Sequence, residues 1–188
     1  VVAICGHADR EDFMDYWIVV VDDEALSLTN VKNMLDAKNM RVSCLRSGKD
    51  LLKYIEKNSP DLILLDIVMP EMDGFETIEA LRKHEDQLGQ PHIPVIFLTA
   101  NDDGESETKG LSLGAMDFIR KPFAAEVLKL RVCNLLELIR LQKDLHHEVQ
   151  VKTAELEKLS LHVVQAMAEA IDAKDSNTNG HSNRVAEY

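Results

Sequence analysis

The chain has 188 residues, with 21 basic and 33 acidic side chains that give a net charge of −12. Nucleic-acid binding requires clustered Lys and Arg to neutralise phosphates, so this balance argues against a general affinity for nucleic acid. No apolar run approaches the roughly 18 residues that a membrane span needs, so we expect no membrane partner.

The N-terminal residues and the cysteines indicate in which cellular compartment the protein is expected. Residues 1–16 are predicted to be an extension, and their apolar start has no basic region before it, which argues against a secretory signal. The chain has an odd number of cysteines, and they are widely spaced: Cys5, Cys44 and Cys133. This pattern is typical of free thiols in a reducing environment. We therefore expect a cytoplasmic protein.

Five short apolar runs alternate with amphipathic segments along the chain. The first, third and fourth runs are apolar at every position, which is typical of strands buried on both faces of a parallel sheet. The second is more mixed, as an edge strand would be. The predicted strands are Trp17–Val21, Arg41–Leu45, Leu62–Leu65, Val95–Leu98 and Asp117–Ile119.

The segments between these runs have the spacing of helices. Leu28 and Val31, for example, share one helical face in the first segment. The fourth helix, near Glu105–Leu113, has the weakest pattern because Gly110 and Ser112 lower its helix propensity. Strands that alternate with helices predict an α/β fold with right-handed crossovers.

A long helical extension is predicted after the fifth strand. No Gly or Pro occurs from about Ala124 to Lys174, and apolar residues recur in alternating steps of three and four, interrupted at Gln142 and Lys152. This pattern predicts a coiled-coil linker over residues 141–165, and the alternative is one helix packed along a domain surface. The seam consists of Leu135, Leu138, Leu145, Val149, Leu156, Leu159, Val163, Ala166, Ala170 and Ala173.

Polar residues stand where four of the predicted strands end. Asp22 and Asp23 follow the first strand, Asp66 the third, Thr99 the fourth and Lys121 the fifth. In parallel α/β sheets these ends meet at one edge, where ligands bind. Converging carboxylates repel one another unless a cation is present, and hard oxygen ligands suit Mg²⁺ (or Mn²⁺). With a lysine and a hydroxyl donor, they predict a site for phosphoryl transfer to an aspartate.

Each of these residues has an ordinary structural explanation when it is taken alone. An Asp after a strand is usually a helix cap, and a Lys-Pro pair is usually a turn. The joint pattern over four strand ends favours the chemical interpretation.

With these residues in place, the chain resembles the receiver domain of two-component response regulators. The matching stretches are VVVDDE (Val19–Glu24), LILLDIVMPEMDG (Leu62–Gly74), VIFLTA (Val95–Ala100) and GAMDFIRKPF (Gly114–Phe123). The resemblance covers roughly Trp17 to Arg140, which predicts a receiver domain over residues 17–140. It implies a flavodoxin-like, doubly wound parallel sheet of five strand–helix units with strand order 2-1-3-4-5.

The resemblance also implies roles for residues at matching positions. Asp66 would accept the phosphoryl group from a sensor histidine kinase or a phosphotransfer protein. Asp23 would bind the metal directly and Asp22 largely through water, and the backbone carbonyl of Val68 would complete the protein ligands.

Three further residues match the phosphoryl-binding and switching positions. Thr99 would donate a hydrogen bond to a phosphoryl oxygen, and Lys121 would contact the phosphoryl group or the unmodified carboxylate. Phe118 matches a switch aromatic whose ring is thought to turn inward when Thr99 moves. We expect a homodimer through the face of the fourth helix, fifth strand and fifth helix and through the coiled coil.

The last segment, Ala166–Tyr188, resembles the opening of an HD-GYP domain, a family of metal-dependent phosphodiesterases that hydrolyse cyclic di-GMP. The match is the run Ala-Ile-Asp-Ala-Lys-Asp and then Thr-x-Gly-His-Ser-x-Arg-Val. His181 matches the family's first histidine, a metal ligand. We expect residues 166–188 to be the truncated start of that domain, with His181 in a loop and no phosphodiesterase activity in this chain, because one histidine cannot build a hydrolytic metal centre.

Two other functions remain open from the residues. An Asp-nucleophile phosphatase usually places a second Asp two residues after the nucleophile, where this chain has Val68. A DNA-binding regulator would need a basic helix-turn-helix after the linker, where this chain continues instead into Asn177–His181.

Overall fold

The computed structural model describes residues 16–36, 40–100 and 104–185, and the side chains of the last helix as far as Ala170. Strands and helices alternate. The strands are β1 (Tyr16–Val21), β2 (Met40–Leu45), β3 (Leu62–Asp66), β4 (Val95–Thr99) and β5 (Asp117–Arg120). The helices are α1 (Ala25–Met34), α2 (Gly48–Ile55), α3 (Gly74–Leu88), α4 (Gly104–Ser112) and α5 (Ala125–Val185). Apart from Tyr16, the predicted N-terminal extension lies outside the described residues.

The five strands form one parallel sheet in the order β2-β1-β3-β4-β5. This confirms the predicted flavodoxin-like α/β fold and its strand order. Each of the five strands extends one residue further at one end than the apolar runs predict, because the added end residue also takes part in strand pairing. β2 is at an edge of the sheet and is only partly buried, as its mixed sequence indicates.

The sheet is buried on both faces, which explains its nearly continuous apolar sequence. Every residue of β3 and β4 is buried. Val19 and Phe97 belong to one core cluster with Leu51 of α2 and Ile78 of α3. The residues that alternate with these along the strands, such as Ile18, point to the opposite face and are equally buried, and α1 contacts β1 and β2 there.

A buried ion pair ties α3 to the loops before β4 and β5. The Glu85 carboxylate accepts from Nη1 of Arg82 at 2.8 Å and from the backbone N–H of Ile93 at 2.7 Å. Arg82 also donates to the carbonyls of Ile93 and Gly114, at 2.9 and 3.0 Å. The pair therefore fixes the chain on both sides of α4.

The long C-terminal helix predicted from the sequence is confirmed as α5. The expectation of a loop at Gly180 and His181 is wrong, because α5 continues to Val185; a single glycine lowers helix propensity by about 1 kcal/mol but does not by itself end a helix. The chain divides into two compact units, Val1–Glu137 and Leu138–Tyr188. Among the described residues, no helix combines the length and apolarity that crossing a membrane requires.

Candidate phosphoryl-acceptor site

The sheet brings the predicted polar residues to one edge. Asp22 and Asp23 directly follow β1, and Asp66 is the last residue of β3, which pairs with β1 in parallel. Thr99 ends β4, and Lys121 follows β5. Because all five strands are parallel, these carboxyl ends lie at the same edge, and the structure brings the five residues together as the sequence predicts.

Three carboxylates form the centre of the site. Asp22, Asp23 and Asp66 each place one carboxylate oxygen within 4.8 Å of the others. Asp22 is only 1% exposed and Asp66 only 7%, whereas Asp23 is partly exposed. Such a cluster presents the hard oxygen donors that a small divalent cation prefers, and its charges need compensation.

Lys121 supplies the compensating charge. Its Nζ lies 2.7 Å from Oδ2 of Asp22 and 3.1 Å from Oδ2 of Asp66. Burial by itself would lower the pKa of Lys121, but the hydrogen bonds and charges of the two aspartates outweigh it and raise that pKa above its usual value. The lysine is therefore held in its charged form at neutral pH.

Burial is the main influence on Asp66. It raises the pKa of the carboxyl above its usual value and is only partly opposed by the charge and hydrogen bond of Lys121. The nearby charge of Asp22 raises the same pKa further. An incoming cation would favour the ionised carboxylate, because an adjacent positive charge stabilises the charged form.

Three supporting contacts were not predicted from the sequence. The hydroxyl of Ser27 donates to Oδ2 of Asp22 at 2.5 Å, and the backbone N–H of Glu24 donates to Oδ1 at 2.9 Å. Arg46, just after β2, donates to the backbone carbonyl of Asp23 at 3.0 Å. Of these contacts, only the one made by Ser27 could have been indicated by the sequence, because Ser27 lies in the first turn of the helix that follows the two aspartates.

The loop after Asp66 is closed by the start of α3. The N–H of Gly74 donates to the carbonyl of Ile67 at 2.8 Å. A Cβ at Gly74 would overlap the backbone oxygen of Asp66 and lie 2.8 Å from Cα of Ile67, so only glycine allows this approach. Val68, proposed as a carbonyl ligand, lies in this loop with its side chain 60% exposed.

Thr99 and Phe118 lie on the β4–β5 side of the site. Thr99 is buried, and its carbonyl accepts from the backbone N–H of Lys121 at 2.7 Å. The ring of Phe118 is already turned inward, only 8% exposed, and packs on Phe97 with ring centroids 5.2 Å apart.

His181 lies in α5, beyond the last residue whose side chain is described. Its role as a metal ligand stays a prediction.

Comparison with known proteins identifies the family. Residues 18–133 match the family model of the response regulator receiver domain. The "Probable cyclic di-GMP phosphodiesterase" of Vibrio cholerae serotype O1 is 36% identical over 97% of this chain and 42% of its own length. "Response regulator MprA" of Mycobacterium ulcerans is 34% identical over 70% of this chain and 54% of its own length. The chain thus spans at most about half of these curated relatives.

Solved structures agree with the family match. The "BeF3 Activated DrrB Receiver Domain" is 33% identical, with a TM-score of 0.58 over 66% of this chain and 99% of that one; DrrB is a protein of Thermotoga maritima. The Francisella response regulator 1452 receiver domain is 30% identical, with a TM-score of 0.57 over 64% of this chain and 95% of that one. The chain belongs to the response regulator receiver domain family.

Proposed function

We propose that this chain is a phosphorylation-controlled switch in which Asp66 accepts a phosphoryl group from a histidine kinase or a phosphotransfer protein. The observation that carries the proposal is the set of three clustered carboxylates with one lysine across them, at the carboxyl edge of the sheet. No other group of three or more metal-ligating side chains occurs within the part of the chain that is described.

The residues present fit a bound Mg²⁺ (or Mn²⁺). The carboxylates of Asp22, Asp23 and Asp66 and the backbone carbonyl of Val68 would hold it, with Asp22 acting largely through water. When bound, the cation neutralises charge on the transferred group.

This chain's own residues supply the remaining chemistry. A carboxylate oxygen of Asp66 attacks phosphorus, the bond from phosphorus to the donor nitrogen breaks, and its electron pair stays on that nitrogen, which takes a proton from solvent. Lys121 and the hydroxyl of Thr99 then hold the phosphoryl oxygens. The phosphoryl group of the product carries nearly two negative charges, about one more than the carboxylate it replaces, which draws Thr99 and Lys121 toward it and shifts the start of α4.

The test is labelling with acetyl phosphate and Mg²⁺, followed by intact mass measurement. We expect wild type to gain one phosphoryl group and Asp66→Ala to gain none. Asp36→Ala removes an exposed carboxylate after α1 and should be labelled like wild type. Labelling of Asp66→Ala at the wild-type level would show that Asp66 is not the acceptor.

We propose that the output is an HD-GYP cyclic di-GMP phosphodiesterase in a longer protein. Support comes from the Vibrio cholerae relative, which is named as a probable cyclic di-GMP phosphodiesterase. Its similarity covers 97% of this chain and so extends past the receiver into the C-terminal helical segment. On this basis residues 17–140 are the receiver, 141–165 the linker and 166–188 the start of the output domain. Hydrolysis of cyclic di-GMP by the full-length protein, measured with and without beryllofluoride, tests this proposal.

The competing output is a DNA-binding domain. The relative named "Probable transcriptional regulator ycf27" of Cyanidium caldarium matches this chain over 70% of its residues, whereas the Vibrio cholerae relative matches 97%. The additional matching residues favour the phosphodiesterase output. An Asp-nucleophile phosphatase is disfavoured because Val68 cannot serve as its acid and base.

We also propose homodimerisation through α4, β5 and α5 and through the coiled-coil seam. On the first face, Leu111 and Val127 are exposed apolar side chains. Four nearby charges pair within the chain, Arg131 with Asp117 at 2.6 Å and Arg120 with Glu107 at 3.5 Å. A cytoplasmic location, with no nucleic-acid or membrane partner, remains part of the proposal.

A further inference from the structure

Three stacked phenylalanines connect α3, β4 and β5 underneath α4. The rings of Phe75 and Phe97 have centroids 5.4 Å apart, and those of Phe97 and Phe118 are 5.2 Å apart. All three side chains are buried. Lys109 of α4 places its Nζ 4.4 Å from the Phe75 ring centroid, so α4 contacts this stack at its α3 end.

Gly110 is where α4 meets the other end of the stack. A Cβ at this position would overlap Cζ of Phe118 and lie 2.9 Å from Cε2 of Phe97. Gly110 is in the middle of α4 and is absent from the positive-φ glycines of the described chain, so its backbone does not require glycine. A mid-helix glycine destabilises a helix relative to alanine, and here that loss is offset by the room it leaves for two aromatic rings.

The same residues are linked to the site by short stretches of backbone. The carbonyl of Gly110 accepts from the N–H of Ala115, which precedes β5. Phe97 stands two residues before Thr99, and Phe118 three before Lys121, whose N–H donates to the Thr99 carbonyl at 2.7 Å. The position of α4 over the rings therefore constrains both strand ends that reach the phosphoryl group.

We propose that Gly110 is a positioning residue: it seats the Phe118 ring against Phe97 and so sets the placement of α4, Thr99 and Lys121 for phosphoryl binding. The inference rests on the proposed function and adds a residue far from the acidic cluster. A methyl group at position 110 expels the Phe118 ring, because that ring is the free end of a rotatable side chain whereas Phe97 is enclosed in the core. The three carboxylates, carried by β1 and β3, are left in place.

The test uses beryllofluoride, which stands in for the phosphoryl group, and measures Mg²⁺ affinity separately. We expect Gly110→Ala to bind beryllofluoride about tenfold more weakly in the presence of saturating Mg²⁺, in keeping with the usual cost of inserting one methyl group into a filled core. Its dissociation constant for Mg²⁺ alone should be no larger than that of wild type, because the three carboxylates stay in place, whereas a general loss of structure would enlarge it.

A double-mutant cycle assigns the effect to the ring. In a Phe118→Leu background, which removes the overlap with Cζ of Phe118 but not the approach to Phe97, adding Gly110→Ala should weaken beryllofluoride binding less than it does in wild type. If Gly110→Ala binds beryllofluoride as tightly as wild type, or weakens its binding equally in both backgrounds, the role of Gly110 is refuted and the proposed function is unaffected. A wild-type chain that binds neither Mg²⁺ nor beryllofluoride would instead overturn the proposed function, and this inference with it.

Discussion

Lys121 shares its charge between carboxylates from two neighbouring strands. Its Nζ is nearer to Asp22, at 2.7 Å, than to Asp66, at 3.1 Å. A cation bound by the aspartates would lie close to this ammonium group, and the two positive charges would repel each other. The lysine therefore stabilises the acidic cluster in the absence of metal and opposes metal binding for the same reason.

This opposition gives a prediction with a definite sign. Lys121→Ala should bind Mg²⁺ more tightly than wild type, by about tenfold, because the competing charge is removed. Calorimetric Mg²⁺ titration measures the change. Lys83→Ala, which removes an exposed lysine from α3, is the control and should leave the affinity unchanged. A Lys121→Ala variant with weaker binding would mean that the lysine organises the carboxylates instead of competing with the cation.

The individual residues of the site were predictable to different extents. Asp22, Asp23, Asp66, Thr99 and Lys121 stand at strand ends, a position that hydrophobic pattern alone identifies. The contacts of Ser27 and Arg46, and the inward ring of Phe118, depend on side-chain rotamers and on packing between distant segments. Sequence periodicity carries no information about either.

At the level of elements, α3 begins with a complete capping box. The Asp73 side chain accepts from the N–H of Glu76 at 2.7 Å, and Glu76 accepts from the N–H of Asp73 at 3.0 Å. Two donors at the helix start are thereby satisfied. This is the helix whose first residue, Gly74, packs on the backbone of Asp66, so the cap also fixes the loop of the acceptor residue.

Removal of this cap should destabilise the fold measurably. We expect Asp73→Ala to lower the free energy of unfolding by about 1–2 kcal/mol, because the side-chain oxygen that accepts from the Glu76 N–H is lost. Urea denaturation followed by circular dichroism gives the value. Glu79→Ala, at an exposed position of the same helix, should change it by less than about 0.5 kcal/mol. Equal effects of the two substitutions would contradict the capping argument.

The elements themselves were largely predictable, for an identifiable reason. Parallel strands covered on both faces are apolar throughout, so β1, β3 and β4 are visible as uninterrupted runs. The ends of the elements were less predictable: Asp66 and Thr99 are polar yet pair within the sheet, and Gly180 does not end α5. In α4, the glycine that weakens the helical pattern has a packing role that no propensity scale includes.

On the scale of the whole molecule, α5 carries exposed apolar side chains. Leu159 on the predicted seam is 59% exposed, and Leu161 off the seam is 70% exposed. If the seam mediates dimerisation, only the first of these should matter, because seam residues face the partner helix in a coiled coil.

The two leucines make a matched pair for testing self-association. We expect the wild-type chain and Leu161→Glu to sediment as dimers, and Leu159→Glu to sediment as a monomer or to dissociate at concentrations at least about tenfold higher than wild type. Sedimentation equilibrium over a range of concentrations separates these cases. A monomeric wild type would refute the dimer, and equal effects of both substitutions would refute the seam.

The ion pair between Lys121 and Asp22 joins residues 99 positions apart in the sequence. During synthesis, Asp22, Asp23 and Asp66 leave the ribosome long before the lysine that compensates them. In a chain that has emerged only as far as β3, the acidic cluster therefore lacks this counter-charge. Release of β5 and Lys121 then completes the proposed site, in the same event in which the last strand joins the sheet.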